Sequence, residues 1–168
     1  LKEAASIFLE MKEELLDLYK PTRHLFEPNS CIMNDIMNKC RSFGDPSGKH
    51  KGNFSRAYSV CKSLELPLRT STEYDLIISY RPDVLLWKNI DFNKYDRNAI
   101  TKNGSSFGDF HYVMSHANAL RLSQLYADMN SELYHSGFHV YNTFITQHLG
   151  LPLKGDDIEP NRHQEVLR

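Results

Sequence analysis

The sequence predicts an α/β fold rich in helix, with about three short strands near the middle of the chain. Stretches with apolar residues at helical spacing lie on both sides of the centre, which calls for several amphipathic helices. The central run Leu76, Ile77 and Ile78 does not alternate with polar residues, as expected of a strand covered on both faces. Two further short apolar segments, Val84–Trp87 and Phe110–Met114, follow it across polar connections.

Taken in order, residues 2–19 place Ile7, Phe8, Met11, Leu15, Leu18 and Tyr19 on one helical face, and Pro21 ends that helix. Residues 31–40 repeat the pattern through Ile32, Met33, Ile36, Met37 and Cys40. The run "RSFGDPSGKHKG" at 41–52 has the composition of a mobile loop. A helix over 54–64 carries Phe54, Ala57, Tyr58, Cys61 and Leu64, with Asn53 as its cap. The strand expected over Tyr74–Tyr80 is central, flanked by that helix and by one over 116–134. Asp91–Gly104 reads as a polar connection. Ser115 caps the helix whose face bears Leu122, Leu125, Tyr126, Met129 and Leu133. A last helix near 138–149 shows Tyr141, Phe144, Ile145 and His148 before Gly150 and Pro152 stop it. The residues from Lys154 onward are polar and without periodicity, so they are expected to pack poorly. Three strands are few for so many helical faces, and further strands preceding Leu1 would supply the missing area. A chain that opens on Leu1 rather than Met is expected not to begin at its natural start, being an engineered or processed product or the ordered part of something longer.

The 168 residues form one domain by size, and 40% hydrophobic with 24% charged residues suits a soluble globular protein. A net charge of −1 gives no electrostatic match to nucleic acid or anionic lipid. No apolar run approaches the roughly 18 residues of a membrane span, and no signal-peptide pattern opens the chain. Cys31, Cys40 and Cys61 are odd in number and widely spaced, so they read as free thiols in a reducing, cytoplasmic setting.

Two segments carry candidate chemistry. In "YDLIISYRPDVLLW" (74–87), Arg81, Pro82 and Asp83 stand where the first strand ends, and ligands in open α/β sheets bind beyond the carboxyl ends of strands. Pro82 fixes its own backbone angle and keeps Arg81 extended, so both charged side chains sit on a stiff turn. A guanidinium grips phosphate oxygens with two prongs, and a carboxylate holds a divalent cation or a sugar hydroxyl. The plainer reading is that Arg81 and Asp83 pair with each other. In "FGDFHYVMS" (107–115), Asp109 and His111 are two apart and share one face of a strand, an arrangement suited to acid–base work. The alternative there is a turn aspartate and a partly buried histidine.

Other patterns fail on spacing. "GDPSGKH" has three residues between Gly44 and Gly48 where a phosphate-binding loop needs four, and His50 stands in the place of its Ser or Thr. His135 and His139 have ligand spacing but Gly137 lies between them and no third ligand accompanies them. Asp83 with "DFNK" at 91–94 misses the nuclease pattern by one residue.

The blocks "NFSRAYSVCKSLEL" (53–66), "YDLIISYRPDVLL" (74–86) and "GDFHYVMSHANALRLSQLY" (108–126), with "HVYNTFITQHL" (139–149) after them, resemble nucleotide-sugar-dependent glycosyltransferases of GT-A type from bacteria and large DNA viruses. The resemblance covers roughly residues 50–149. It implies a GT-A-like, Rossmann-type α/β/α sandwich whose first βαβ unit is not visible in these residues. It divides the chain into a glycosyltransferase-like domain at 1–149, the C-terminal part of a GT-A domain, and a polar tail at 150–168. It further implies transfer of a hexosyl or deoxyhexosyl group from a nucleoside diphosphate sugar to a hydroxyl of a glycan or other acceptor. Arg81 and Asp83 would lie at the diphosphate, Asp83 on a manganese or magnesium ion, with Asn53 also on the donor side. Asp109 and His111 would be the catalytic pair near the acceptor. Arg-Pro-Asp offers one carboxylate where the family element offers two, and Tyr141 and Asn142 stand where relatives often show glutamate. The rival expectation is a non-catalytic helical interaction module, which would gain if residues 74–80 were helical.

Overall fold

The computed structural model describes residues 2–21, 23–25, 29–80, 84–86, 90–103, 111–136, 140–156 and 164–166. The fold is mixed α/β. Helices α1 (Lys2–Tyr19), α2 (Asn29–Ser42) and α3 (Lys51–Leu68) precede strands β1 (Ile77–Tyr80) and β2 (Val84–Leu86). A short 3-10 turn (Phe92–Lys94), β3 (Ile100–Lys102) and β4 (His111–Met114) follow. Then come α4 (His116–Leu122), α5 (Ser131–His135), α6 (Val140–Thr143) with a π-helical turn (Phe144–His148), β5 (Leu153–Gly155) and β6 (Gln164–Val166).

Four strands form one sheet in the order β1-β4-β3-β5, and β2 pairs with β6 in a separate two-stranded sheet. β4 runs antiparallel to both β1 and β3, whereas β5 is parallel to β3. It follows that β1, β3 and β5 all point the same way and only β4 is reversed. Tyr80 is the register partner of His111, and Lys102 that of both Tyr112 and Gly155. The carboxyl ends of three strands and the beginning of the fourth therefore meet at one end of the sheet.

Partners directly opposite in a ladder share a face. Ile77, Ile100, Tyr112 and Met114 thus face one way, and they join residues of α2 to α6 in a single hydrophobic core. Phe54 lies at the middle of its aromatic part, with ring centroids 5.7 Å from Phe43, 5.0 Å from Tyr134 and 6.0 Å from Tyr126. The opposite face carries Ile78, Tyr80, His111, Val113, Thr101 and Lys154. The segment at 95–97 lies against it, with Lys154 Nζ 2.7 Å from Asp96 Oδ2. Among the described residues the helices of the core thus cover one face of the sheet, where a three-layer sandwich was expected.

Several expectations are corrected. β1 begins at Ile77 rather than Tyr74 and lies at the edge of the described sheet, because β4 pairs on one side of it only. The strand buried throughout is β4. The connection at 91–104 contains β3, and the stretch taken for a loose tail supplies β5 and β6. β3 and β5 add two short strands to the sheet that the sequence did not announce. Asn53 does not cap α3: it lies within the helix, whose cap residue is His50, and its side chain donates instead to the Tyr134 carbonyl at 2.7 Å. The helix expected over 116–134 stops at Leu122 and resumes at Ser131, with turns between. Its apolar residues nonetheless enter the core: Leu122, Leu125, Met129 and Leu133 are all buried. The loop after α2 is held in place, since Asp45 accepts from Ser47 Oγ, the His50 N–H and the Tyr134 hydroxyl. His148 is exposed, stacked on Phe144 outside the core.

Other features agree with the sequence. Ser115 caps α4 by accepting from the Asn118 N–H. Gly150, at φ +62, turns the chain into the left-handed region after the last helix, where a side chain would be strained. Cys40 and Cys61 are free and buried. α1 forms as expected, but Met11, Leu15, Leu18 and Tyr19 on its apolar face are all exposed.

Candidate functional site

The end of the sheet where β1, β3 and β5 finish is polar and buried, a combination that a protein interior otherwise avoids. His111 and Asn103 are completely buried, and Thr101 nearly so. The β4 pleat turns His111 away from the hydrophobic core that its neighbour Tyr112 enters. Across the sheet, Gly155 ends β5 and the next residue, Asp156, is fixed by its own N–H bonding to the Lys102 carbonyl at 2.9 Å. That places the Asp156 carboxylate on the same side as His111.

The two side chains meet with Nε2 of His111 2.6 Å from Oδ2 of Asp156, and they are 0% and 8% exposed. The Tyr95 hydroxyl donates to the same oxygen at 3.3 Å. The Tyr80 ring covers His111, with centroids 6.4 Å apart and planes tilted by 30°. An ionised carboxylate only accepts, so Nε2 carries a proton. Removing either member would take this bond from a buried polar group, a loss of about 1–3 kcal/mol. On the opposite face of the same end stands Lys102, half buried, and burial pushes its ammonium pKa down.

Of the sequence-predicted site residues, His111 belongs to this group. Arg81, Asp83 and Asp109 lie outside the described residues. The described neighbours of their segments, Tyr80 before Arg81 and His111 after Phe110, are nevertheless direct register partners. Asn53 is engaged between α3 and α5, where its bond to Tyr134 serves packing. Tyr141 lies in the core, 5.6 Å from the Tyr112 ring. Among the described residues no three His, Cys, Asp or Glu side chains converge as a metal site.

Sequence reasoning missed Asp156 and Tyr95. Asp156 follows "LPLKG", whose only strand signal is two leucines around a proline. Tyr95 sits in a stretch that composition marks as connection.

Comparison with family models, with characterised proteins and with solved structures found no match for this chain. No described helix is long and apolar enough to cross a membrane.

Proposed function

We propose that this chain is a nucleotide-sugar-dependent glycosyltransferase, moving a hexosyl or deoxyhexosyl group to a hydroxyl of a glycan or other acceptor. The observation that supports it best is the Tyr80–His111 register pair. It brings the segments leading to Arg-Pro-Asp and to Gly-Asp-Phe to one end of the sheet, where three strands finish. Crevices beyond the carboxyl ends of strands are where α/β folds bind nucleotides.

In this reading Arg81 grips the diphosphate and Asp83 holds a manganese or magnesium ion. Such a cation, when bound, would supply positive charge against the departing nucleoside diphosphate, and carboxylate oxygen is the donor it prefers. The acceptor oxygen attacks the anomeric carbon as the bond from that carbon to the diphosphate oxygen breaks. An inverting reaction gives Asp109 the acceptor proton, whereas a retaining one needs no enzymatic base there. His111, the residue paired with Asp109 in this reading, is buried and bonded to Asp156. Asn53 is the weakest of the donor-side residues, because its amide is already used between helices.

The helical-module alternative would gain from a helix over residues 74–80, and Ile77–Tyr80 is a strand. The exposed apolar face of α1 is what still favours it. Thermal melting against a panel of nucleoside diphosphates and their sugars, with and without manganese, tests the enzyme reading. A ligand at 100 times its Kd stabilises the folded state by about 2.7 kcal/mol, enough to be seen as a higher Tm. No shift across the panel, together with no transfer or hydrolysis of any sugar, overturns it.

A further inference from the structure

The region after the last helix has no part in the resemblance, yet it delivers a carboxylate to the buried end of the sheet. We propose that Asp156 is a positioning residue of the transferase site, acting through His111. The inference rests on the transferase reading and adds a residue to it.

Three observations carry it. First, the pair is almost wholly buried, with His111 at 0% and Asp156 at 8% exposure. Desolvating a carboxylate and an imidazole is costly, and an apolar pair would serve packing better. Second, Asp156 closes a frame around His111. Its N–H is tied to β3 through Lys102, its carboxylate takes His111 Nε2 from β4, and Tyr95 donates from the segment before β3. Third, His111 stands two residues after Asp109 and opposite Tyr80, which directly precedes Arg81. Fixing the imidazole therefore steadies the paired positions Tyr80 and His111, the described residues next in the chain to both motif segments. An ionised carboxylate at this oxygen also favours the tautomer with the proton on Nε2.

The test compares the full chain with Asp156→Asn and Asp156→Glu at matched folding, by circular dichroism. Positioning predicts that Asp156→Asn lowers kcat by about 10- to 100-fold while KM for the donor sugar changes less than about threefold. Asp156→Glu, which keeps the charge, should restore part of the loss. Nitrogen-15 NMR of the imidazole supplies a readout independent of activity. His111 should be the Nε2–H tautomer in the wild-type chain and a mixture in Asp156→Asn. A folded Asp156→Asn with full kcat overturns the inference alone, as does a wild-type His111 protonated on Nδ1 only. A wild-type chain that transfers no sugar and binds no nucleotide overturns both this inference and the function on which it rests.

Discussion

The hydroxyl of Tyr134 donates to Oδ2 of Asp45 at 2.6 Å, linking the loop after α2 to α5 across 89 positions of the chain. Tyr134, with the His50 N–H in second place, holds the Asp45 carboxyl far below the usual carboxylate range. Burial and the bond to Asp45 push the Tyr134 phenol well above its ordinary value. The signs follow from linkage. Asp45 contributes stability that is present above its unfolded pKa of about 3.9 and is lost as pH falls toward its folded value. Tyr134 contributes stability that is intact below about pH 10 and is lost above it. Thermal melting from pH 2 to 11 should therefore show a plateau between these limits. Tyr134→Phe should lower the plateau and soften both limbs; unchanged limbs would show that the pair does not couple folding to pH.

Phe54 has no exposed surface and contacts three aromatic rings from three parts of the chain. Truncation removes the ring and leaves a cavity that Tyr126 and Tyr134, held by their hydroxyls on Asp35 and Asp45, cannot fill. Phe54→Ala should cost about 3–5 kcal/mol of stability. Urea unfolding would read this as a lower midpoint at unchanged slope, and a cost below about 1 kcal/mol would mean that the aromatic group collapses readily.

Asp83→Asn keeps the size of the side chain and removes its charge. If Asp83 holds a cation against the diphosphate, turnover should fall about 100-fold or more, and metal-dependent binding of nucleotide sugar should weaken. If it only pairs with Arg81 at the surface, the change should cost about 1 kcal/mol of stability or less and leave transfer intact. Steady-state rates of the folded variant separate the two, and undiminished transfer would remove Asp83 from the mechanism.

The Cys61 thiol is buried against the end of α4 and accepts at 3.3 Å from the N–H of Tyr126 in the turns that follow it, and burial pushes its pKa up to about 11. At pH 8 its thiolate fraction is then about 200-fold below that of an ordinary cysteine. Modification by a disulfide reagent, followed by mass spectrometry, should leave Cys61 unlabelled in the native protein and label it fully in urea. Fast native labelling would contradict the packing of α3 on α4.

The helices were legible where a long run kept one apolar face, as in α1, α2 and α3. The same logic misread 116–134 as a single helix, since successive tight turns also return an apolar residue every three or four positions. Leu125 and Met129 thus kept their burial while the backbone departed from helix. β3 and β5 are three residues each, too short for alternation to emerge from the sequence. His111 was legible as a site residue because Asp109 lies beside it in the chain. Its partner Asp156 is 45 positions away, and only the parallel pairing of β5 with β3 brings it near.

The placement of β5 also sets the order in which the molecule can be completed during synthesis. β1, β3 and β4 leave the ribosome well before Leu153, with α4, α5 and α6 still to come. Until Gly155 emerges, β3 presents a row of unpaired backbone groups to the cell, the kind of open edge to which other chains attach. The nascent protein therefore carries this edge open from the emergence of β3 until that of β5. A chaperone that shields extended backbone would matter most while the stretch from Thr101 to Leu153 is being made.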